Sequence, residues 1–544
     1  MRLLALIVAS FASRPVRRLA RLALPGSLLS ATLLARAGEP AAADTIFINE
    51  YRVEGVHKLT PLAVETAVYP FLGPGRSRDD IESARASLED AYHTKGYQTV
   101  AVQIPEQPLA SGVIRLQVLE RAVGRMRVKG AKYTSPRKLK ARASSLAEGT
   151  VIDFNRVPAD IVALNQSPDR QVTPSLRAGV EPDTVDVDLD VKEKPPLHAG
   201  VEINNRQGPD TKPLRVSASV SASNLAQTGN GAGLSFQVSP QDTSQVKVFS
   251  GYYLQHFAGA EWLNLMLTGT KQDSNVSTLG DTAVAGRGTS VALRAMFTLP
   301  AGKDFSHSAG VALNYKHFDQ KVSLAATGTT PATLVVTPIT YWPLEGNYGA
   351  TWQTKQALTE FNAAVAVHLR GLGSDTAQFG TNRYKADANY LVLRGDLTHT
   401  HELPAGFQLQ GKMQGQLSDQ PLLSGEQASG GGQGTVRGYL EAEAVGDSGV
   451  FGSLELRSPS LLGAVKSFKG EWRLFVFADG GWLKLHEPLP EQKDHYDFLS
   501  YGVGSRLRLF DHFDGSVTAS LPQLKQGQTK AQDWRITFKA GLDY

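Results

Sequence analysis

Two textures of apolar and polar positions divide the chain near residue 195. Before that point, runs that alternate like strands are interrupted by segments whose apolar residues recur every three or four positions. "IFINEYRVEG" reads as a strand, "PLAVETAVYPFL" as a short helix opened by Pro61, and Ser77 to Lys95 as a longer helix. Ile81, Ala84, Leu88, Ala91 and Tyr92 share one face of that helix, and Gly96 ends it. The alternating runs "YQTVAVQI" and "GVIRLQVLE" follow. The same order returns between 123 and 194, with Val128-Lys129-Gly130 standing where Val53-Glu54-Gly55 stood. Phe154, Val157, Ile161 and Leu164 mark a second long helix, and "TVDVDLDVKEK" closes the unit. Two copies of one β-α-α-β-β module are expected, at 44–121 and 122–195. Asp186, Asp188 and Asp190 share one face of the closing strand, opposite Val185, Val187 and Leu189, and are expected to meet solvent rather than a cation.

From Leu197 to Tyr544 helical spacing vanishes and roughly ten-residue alternating segments follow one another, separated by Gly, Pro, Asp and Asn. In the last of them Trp534, Ile536, Phe538, Ala540, Leu542 and Tyr544 oppose Arg535, Thr537, Lys539, Gly541 and Asp543. Such alternation also suits a soluble sandwich. About sixteen segments are too many for one sandwich, and an even number suits a closed membrane barrel. Connections alternate in length, long near 271–287, 320–335, 371–384, 418–447 and 483–497, shorter near 255–260, 299–306, 399–406 and 510–513. A 16-stranded antiparallel transmembrane β-barrel over 197–544 is therefore predicted. Arg215, Lys247, Arg294, Arg394, Lys412, Arg473, Arg506 and Arg508 are placed in its lumen, since an Arg or Lys facing lipid near the midplane costs about 2–4 kcal/mol.

Composition narrows the function more than the fold. The 544 residues contain no cysteine, which excludes disulfides, thiolate metal sites and a Cys nucleophile. A formal charge of +4 without any basic run gives no footprint for nucleic acid. Arg14, Arg17, Arg18 and Arg21 precede a moderately apolar stretch from Leu22 to Ala35, which predicts a secretory signal cut after Ala37, with an alternative cut after Ala43. No later stretch reaches about 18 consecutive apolar residues, so strands must do any crossing.

Gly446-Asp447-Ser448-Gly449 looks like a serine-protease nucleophile segment, but Val450 stands where such a site needs a second Gly, and the histidines are scattered. No His-Glu-x-x-His, Gly-x-Ser-x-Gly or Gly-rich loop ending in Lys-Ser or Lys-Thr occurs. No catalytic set, cofactor, metal or nucleotide is expected. Val436-Arg437-Gly438-Tyr439 lies in the longest loop, between the eleventh and twelfth segments, ahead of "LELRSP". Phe477-Ala478-Asp479-Gly480-Gly481 falls on the thirteenth. Asp-Gly is also a hairpin-turn signal. Here Trp472, Leu474, Val476, Ala478 and Trp482 keep one face continuously, so a strand with Asp479 in the lumen is expected.

In these motifs the chain resembles the outer-membrane family that assembles or secretes proteins through POTRA modules and a barrel. The resemblance implies that the 418–447 loop folds into the lumen, that Val436, Arg437, Gly438 and Tyr439 form its tip, and that Phe477, Asp479 and Gly481 receive it. An Arg437–Asp479 pair is expected, because Arg offers a carboxylate two parallel donors. Exchanging the two charges is expected to restore what either single change loses. Trp534, Phe538, Leu542 and Tyr544 resemble the C-terminal strand signal that barrel assembly machinery reads. Insertases of this superfamily resembling BamA or TamA carry five or three POTRA modules, and TpsB transporters of two-partner secretion carry two, as counted here.

The resemblance therefore implies a TpsB transporter. Its POTRA modules, in the periplasm of a Gram-negative cell, recognise an unfolded TpsA-like exoprotein, and its outer-membrane barrel, set in lipid, passes that client outward without ATP. A general barrel insertase is the alternative within the superfamily, and a passive porin the alternative of another class. Many relatives begin with a helix that plugs the pore. Only some eight residues lie between Ala37 and Ile46, so either the plug is missing and the inward loop closes the resting pore alone, or the apparent start misleads.

Overall fold

The computed structural model describes residues 45–257, 259–274, 276–277, 284–285, 287–324, 333–464, 469–490 and 492–544. The expected signal segment and both of its cuts lie outside the described residues. The chain divides into two compact units, one of residues up to 91 with 102–118, the other of 92–101 with 119–544.

In the first unit Val113–Leu119 lies between Glu50–Glu54, to which it runs parallel, and Ala101–Gln103. The short helix Pro61–Val68 starts where the sequence puts it: Pro61 occupies its first turn and Thr60 accepts from the amide of Ala63. The longer helix Arg78–Thr94 is capped by Ser77, whose hydroxyl accepts from the Asp80 amide while Asp80 accepts from the Ser77 amide. Its Ile81, Ala84 and Leu88 are buried, as are Ile114 and Leu116 of the sheet.

The second module repeats that order. Thr184–Glu193 lies between the parallel Ala122–Lys129 and the antiparallel Arg170–Ala178. Leu139, Leu146, Ile152, Leu164, Val187 and Leu189 fill its core. Its second helix, Val157–Leu164, has 8 residues, shorter than the apolar spacing implies. The three aspartates depart further from expectation. Asp186 and Asp188 are buried, and only Asp190 is exposed. Arg177 lies 2.8 Å from Asp186, while Arg127 and Lys129 lie 3.0 Å and 2.7 Å from Asp188. Thr184–Glu193 is the central strand, so cations from both neighbours cover its polar face and pair with the carboxylates.

Leu197 opens a closed antiparallel barrel. Its first strand is Leu197–Asn204, and its last, Arg535–Asp543, pairs back onto the first. The sixteen strands include the seventh (Phe305–Leu324), the ninth (Ala357–His368), the tenth (Tyr390–Glu402) and the eleventh (Gln408–Ser418). The twelfth to fifteenth are Ser448–Arg457, Gly470–Lys484, His495–Leu509 and Phe513–Pro522. The eighth is broken at Trp342 and Pro343 into Thr333–Tyr341 and Leu344–Gln353, both paired with the seventh. Pro343 lacks the amide that an unbroken ladder requires.

The connections at 226–229, 299–304, 403–407 and 510–512 share one end of the barrel. Those at 369–389, 419–447, 485–494 and 523–534 share the other. The second module docks at the short end. Lys138 donates to the carbonyl of Gln227 at 2.8 Å, Arg142 to that of Thr228 at 3.1 Å, and Asn224 to the Thr134 hydroxyl at 3.3 Å.

Among the described residues, outward positions carry an apolar skin, including Val220, Leu234, Leu293, Leu393, Met413, Leu456, Val503 and Ile536. Exposed apolar surface on this scale would be a liability in water and is what a barrel offers to lipid. Trp534, Phe538, Leu542 and Tyr544 lie on that skin. Among the described residues no helix is long and apolar enough to cross a membrane. Arg294, Arg394, Lys412, Arg506 and Arg508 face the lumen, but Lys247 does not. It shares the outward face of Phe249, near the outer end of its strand and opposite Asp273, while Val246 and Val248 turn inward. There polar headgroup depth removes the penalty that alternation alone assigned to it. Among the described residues of the barrel, helical spacing survives in one α-helix, Thr376–Asn382 in a long connection, started by a full capping box at Asp375 and Gln378.

Candidate functional site: the loop inside the lumen

The connection 419–447 enters the barrel through a small hairpin, Ala428–Gly430 with Ala444–Gly446. Between its arms lies the tip, with Val436, Arg437 and Tyr439 all buried. The thirteenth strand runs unbroken through Asp479-Gly480, so this Asp-Gly makes no turn. Alternation from Trp472 turns Asp479 inward, as it does Phe475 and Phe477.

Arg437 meets Asp479 through three donors. Its Nε lies 2.7 Å from Oδ2, its Nη2 2.8 Å from Oδ1, and its own amide 3.0 Å from Oδ2. Two residues of "LELRSP" and its approach complete the cage: Glu455 accepts from Nη1 at 2.5 Å and Ser453 from Nη2 at 3.0 Å. The guanidinium carbon also lies over Phe477, 3.6 Å from the ring centre. One cation therefore faces two carboxylates. Arg457 balances the second, 2.6 Å from the other oxygen of Glu455. A buried ion pair holds only when its remaining donors and acceptors are satisfied, and here they are.

The neighbours explain the rest of the motif. Gly438 has φ +97°, and a side-chain carbon there would stand 2.9 Å from the Ser500 hydroxyl and 3.1 Å from Ser520. Both serines are fully buried small residues of the fourteenth and fifteenth strands, so the chain passes against the wall only as glycine. Tyr439 packs edge-on against Phe498, with centroids 5.0 Å apart, and its hydroxyl lies 2.9 Å from the carbonyl of Leu524. Gly481 of the strand motif meets Phe451 of the twelfth strand. Gly502 leaves room for the Phe477 ring, since a methyl there would lie 2.6 Å from it.

Sequence reasoning missed Ser453 and Glu455, and also a second set of contacts nearer the loop's start. Glu426 is buried, with Lys316 of the seventh strand at 2.5 Å, Arg394 of the tenth at 3.0 Å and the Tyr341 hydroxyl at 3.0 Å. Its carbonyl accepts from Gln416 of the eleventh strand at 2.9 Å. Alternation had put Arg394 in the lumen, but nothing local to Glu426 marks its role. Glu441 pairs with Arg206 at 2.8 Å, and Glu443 accepts from Thr529 at 2.7 Å.

The protease-like segment holds the loop's exit. Asp447 accepts from the amides of Leu422 at 2.9 Å and His486 at 2.7 Å, with Arg383 at 3.6 Å. Ser448 accepts from the Ser418 amide at 3.0 Å, and its hydroxyl is 3.3 Å from a ring nitrogen of His486. Asp447 thus clamps the loop's exit instead of orienting a histidine. Among the described residues no group of three or more His, Cys, Asp and Glu side chains gathers as a metal site.

Comparison with known proteins agrees with this architecture. Residues 183–507 match the family described as haemolysin secretion/activation protein ShlB/FhaC/HecB, and residues 46–121 match the ShlB-type POTRA domain. The outer membrane transporter CdiB of Dickeya dadantii is 21% identical over 436 residues, covering 77% of this chain and 72% of that one. CdiB from Escherichia coli superposes with a TM-score of 0.67 at 18% identity, over 95% of this chain and 93% of that one. CdiB from Acinetobacter baumannii gives 0.60 at 13% identity, over 92% and 90%. BamA from Haemophilus ducreyi lacking POTRA domains 1–3 gives 0.52 at 14% identity, over 91% and 100%, a likeness of fold. With more than half of its residues matched by that one family model, the chain belongs to the haemolysin secretion/activation protein family, ShlB/FhaC/HecB.

Proposed function

We propose that this outer-membrane transporter captures an unfolded partner exoprotein with its two periplasmic modules and passes it outward through the barrel lumen without ATP. The observation that carries the reading is a polar lumen occupied by a loop held through hydrogen bonds and ion pairs, directly above a module docked on the periplasmic turns. Each module ends in edge strands, such as Arg170–Ala178, to which an extended client can add a strand. The sequence has no nucleotide-binding loop, so folding of the client outside supplies direction. The Arg437 tip shapes the path, and its pairing with Asp479 sets how firmly the loop stays against the wall. Lipid covers the apolar skin, and barrel assembly machinery reads Trp534, Phe538, Leu542 and Tyr544 during insertion.

Removing the protein from its host is expected to remove one large exoprotein from the medium, and restoring the intact chain to return it. A medium unchanged in every secreted protein, with barrel proteins in general depleted from the outer membrane, overturns transport in favour of insertion.

A further inference from the structure

Resting on the transport reading, we infer that the lumen is divided: the client passes through the half opposite Arg437, and Glu426 closes the outer end of that half while the tip stays in place. The contacts of Arg437 and of Glu426 fall on two different arcs of the wall. Arg437 is held by strands twelve and thirteen and packs beside fourteen and fifteen. Glu426 is held by strands seven, eight, ten and eleven. Between the loop and strands five to eleven lies a cavity of about 830 Å³. Its wall includes Ser290, Asn347, Asn362, Thr398 and Gln414, side chains that both donate and accept hydrogen bonds. An extended polypeptide exposes one donor and one acceptor per residue and carries no fixed charge along its backbone. Lys316, Arg394, Asp396 and Lys412 also line the cavity, but the hydroxyl- and amide-bearing arc is open to an extended chain, whereas the carboxylates around Arg437 are already taken up by the loop.

Glu426 stands in the cavity's wall, a few residues after the loop leaves the eleventh strand at the outer end. Leu422 and Leu423, just before it, belong to an apolar cluster with Tyr341, Phe379 and Phe318. Ser424 to Ser429, around and after it, line the cavity. The chain therefore passes from apolar seal to polar chamber at a buried carboxylate held by two cations. Replacing the carboxylate with an amide leaves Lys316 and Arg394 facing a neutral group, which loosens the seal without touching Arg437.

The absence of cysteine makes this directly readable, because each introduced thiol is the sole one in the chain. Asn362→Cys reports the chamber. Thr518→Cys reports the tip's half, where Thr518 lines a separate cavity with Arg437 and Asp479. The full-length protein in lipid bilayers is treated from the outer side with a small cationic methanethiosulfonate. Adding Glu426→Gln is expected to speed modification at 362 by at least about tenfold, the scale on which a buried charge losing its partner shifts a closed state. Modification at 518 is expected to stay unchanged. Equal rates at 362 with and without Glu426→Gln overturn the gate, and acceleration at both positions overturns the division of the lumen. Unboiled gel mobility confirms a folded barrel in each variant, and Lys316→Gln, which weakens the same seal from the wall, is expected to act in the same direction. Loss of the exoprotein on removing the chain, with no acceleration at 362, rejects this inference and leaves the transport reading standing.

Discussion

The two ends of the lumen loop are pinned by the same chemistry with the signs exchanged. At the tip the loop brings the cation and the wall brings Asp479 and Glu455; nearer its start the loop brings Glu426 and the wall brings Lys316 and Arg394. Both pairings are buried, and both leave few unsatisfied atoms. They differ in what surrounds them. Arg437 is stacked on Phe477 and threaded beside Gly438 against two buried serines, so it can move only if the loop leaves the wall. Glu426 is met mainly by side-chain ends, long and able to swing. The tip is thus a fixed post and the start a movable clasp.

The largest expected effect breaks the post. Arg437→Ala leaves the buried Asp479 without its cation and Glu455 with Arg457 alone, a loss of about 3–5 kcal/mol for one partner of a buried pair. Secretion into the medium is expected to fail, and bilayer conductance to become noisy rather than merely larger. From the sequence, exchanging charges as Arg437→Asp with Asp479→Arg is expected to restore secretion. Glu455 changes that expectation, because an aspartate at 437 would stand beside it. The exchange is expected to recover function only when Glu455→Gln is added, and full recovery without it would mean that Glu455 is not part of the post.

Glu426→Ala should be the next largest. Two cations lose a partner, but both reach it with flexible side chains and relax toward the chamber, so about 1–3 kcal/mol is expected. Its signature is raised conductance with secretion retained, the reverse of Arg437→Ala. Gly438→Ala tests whether close approach alone holds the post. A side chain at φ +97° and against Ser500 costs about 1–3 kcal/mol, with partial loss of secretion. Pairing it with Ser520→Gly, which enlarges the space, is expected to recover part of that loss. Smallest is Ser448→Ala, which removes one acceptor for the Ser418 amide, worth about 1 kcal/mol, and leaves secretion intact. Abolished secretion there would revive a chemical role for the serine.

The post was legible in the sequence because it combines two signals. Period-two alternation turned Asp479 inward, and resemblance to a known family picked out Val436-Arg437-Gly438-Tyr439 in the longest connection as its partner. The clasp was not legible. Glu426 precedes "QASGGG" in a stretch without periodicity, and its partners come from residues 316, 341, 394 and 416, which only the closed barrel gathers. The same limit explains Asp186 and Asp188: alternation gave their face correctly, but whether that face met water depended on which strand lay at the centre.

Sequence alone determined the broad facts: two mixed modules, then a barrel of sixteen strands and most of its lipid and lumen positions, whereas the loop tip was picked out by resemblance to a known family. The modules, strands and faces follow from local rules, since side-chain direction in a strand repeats every second residue whatever the strand packs against. Tertiary structure alone decided which strand was central, that Lys247 sits outward at the rim, that a helix interrupts one outer connection, and that the loop is held twice. Those outcomes depend on neighbours far apart in the chain, and no period along one segment encodes its distance from another.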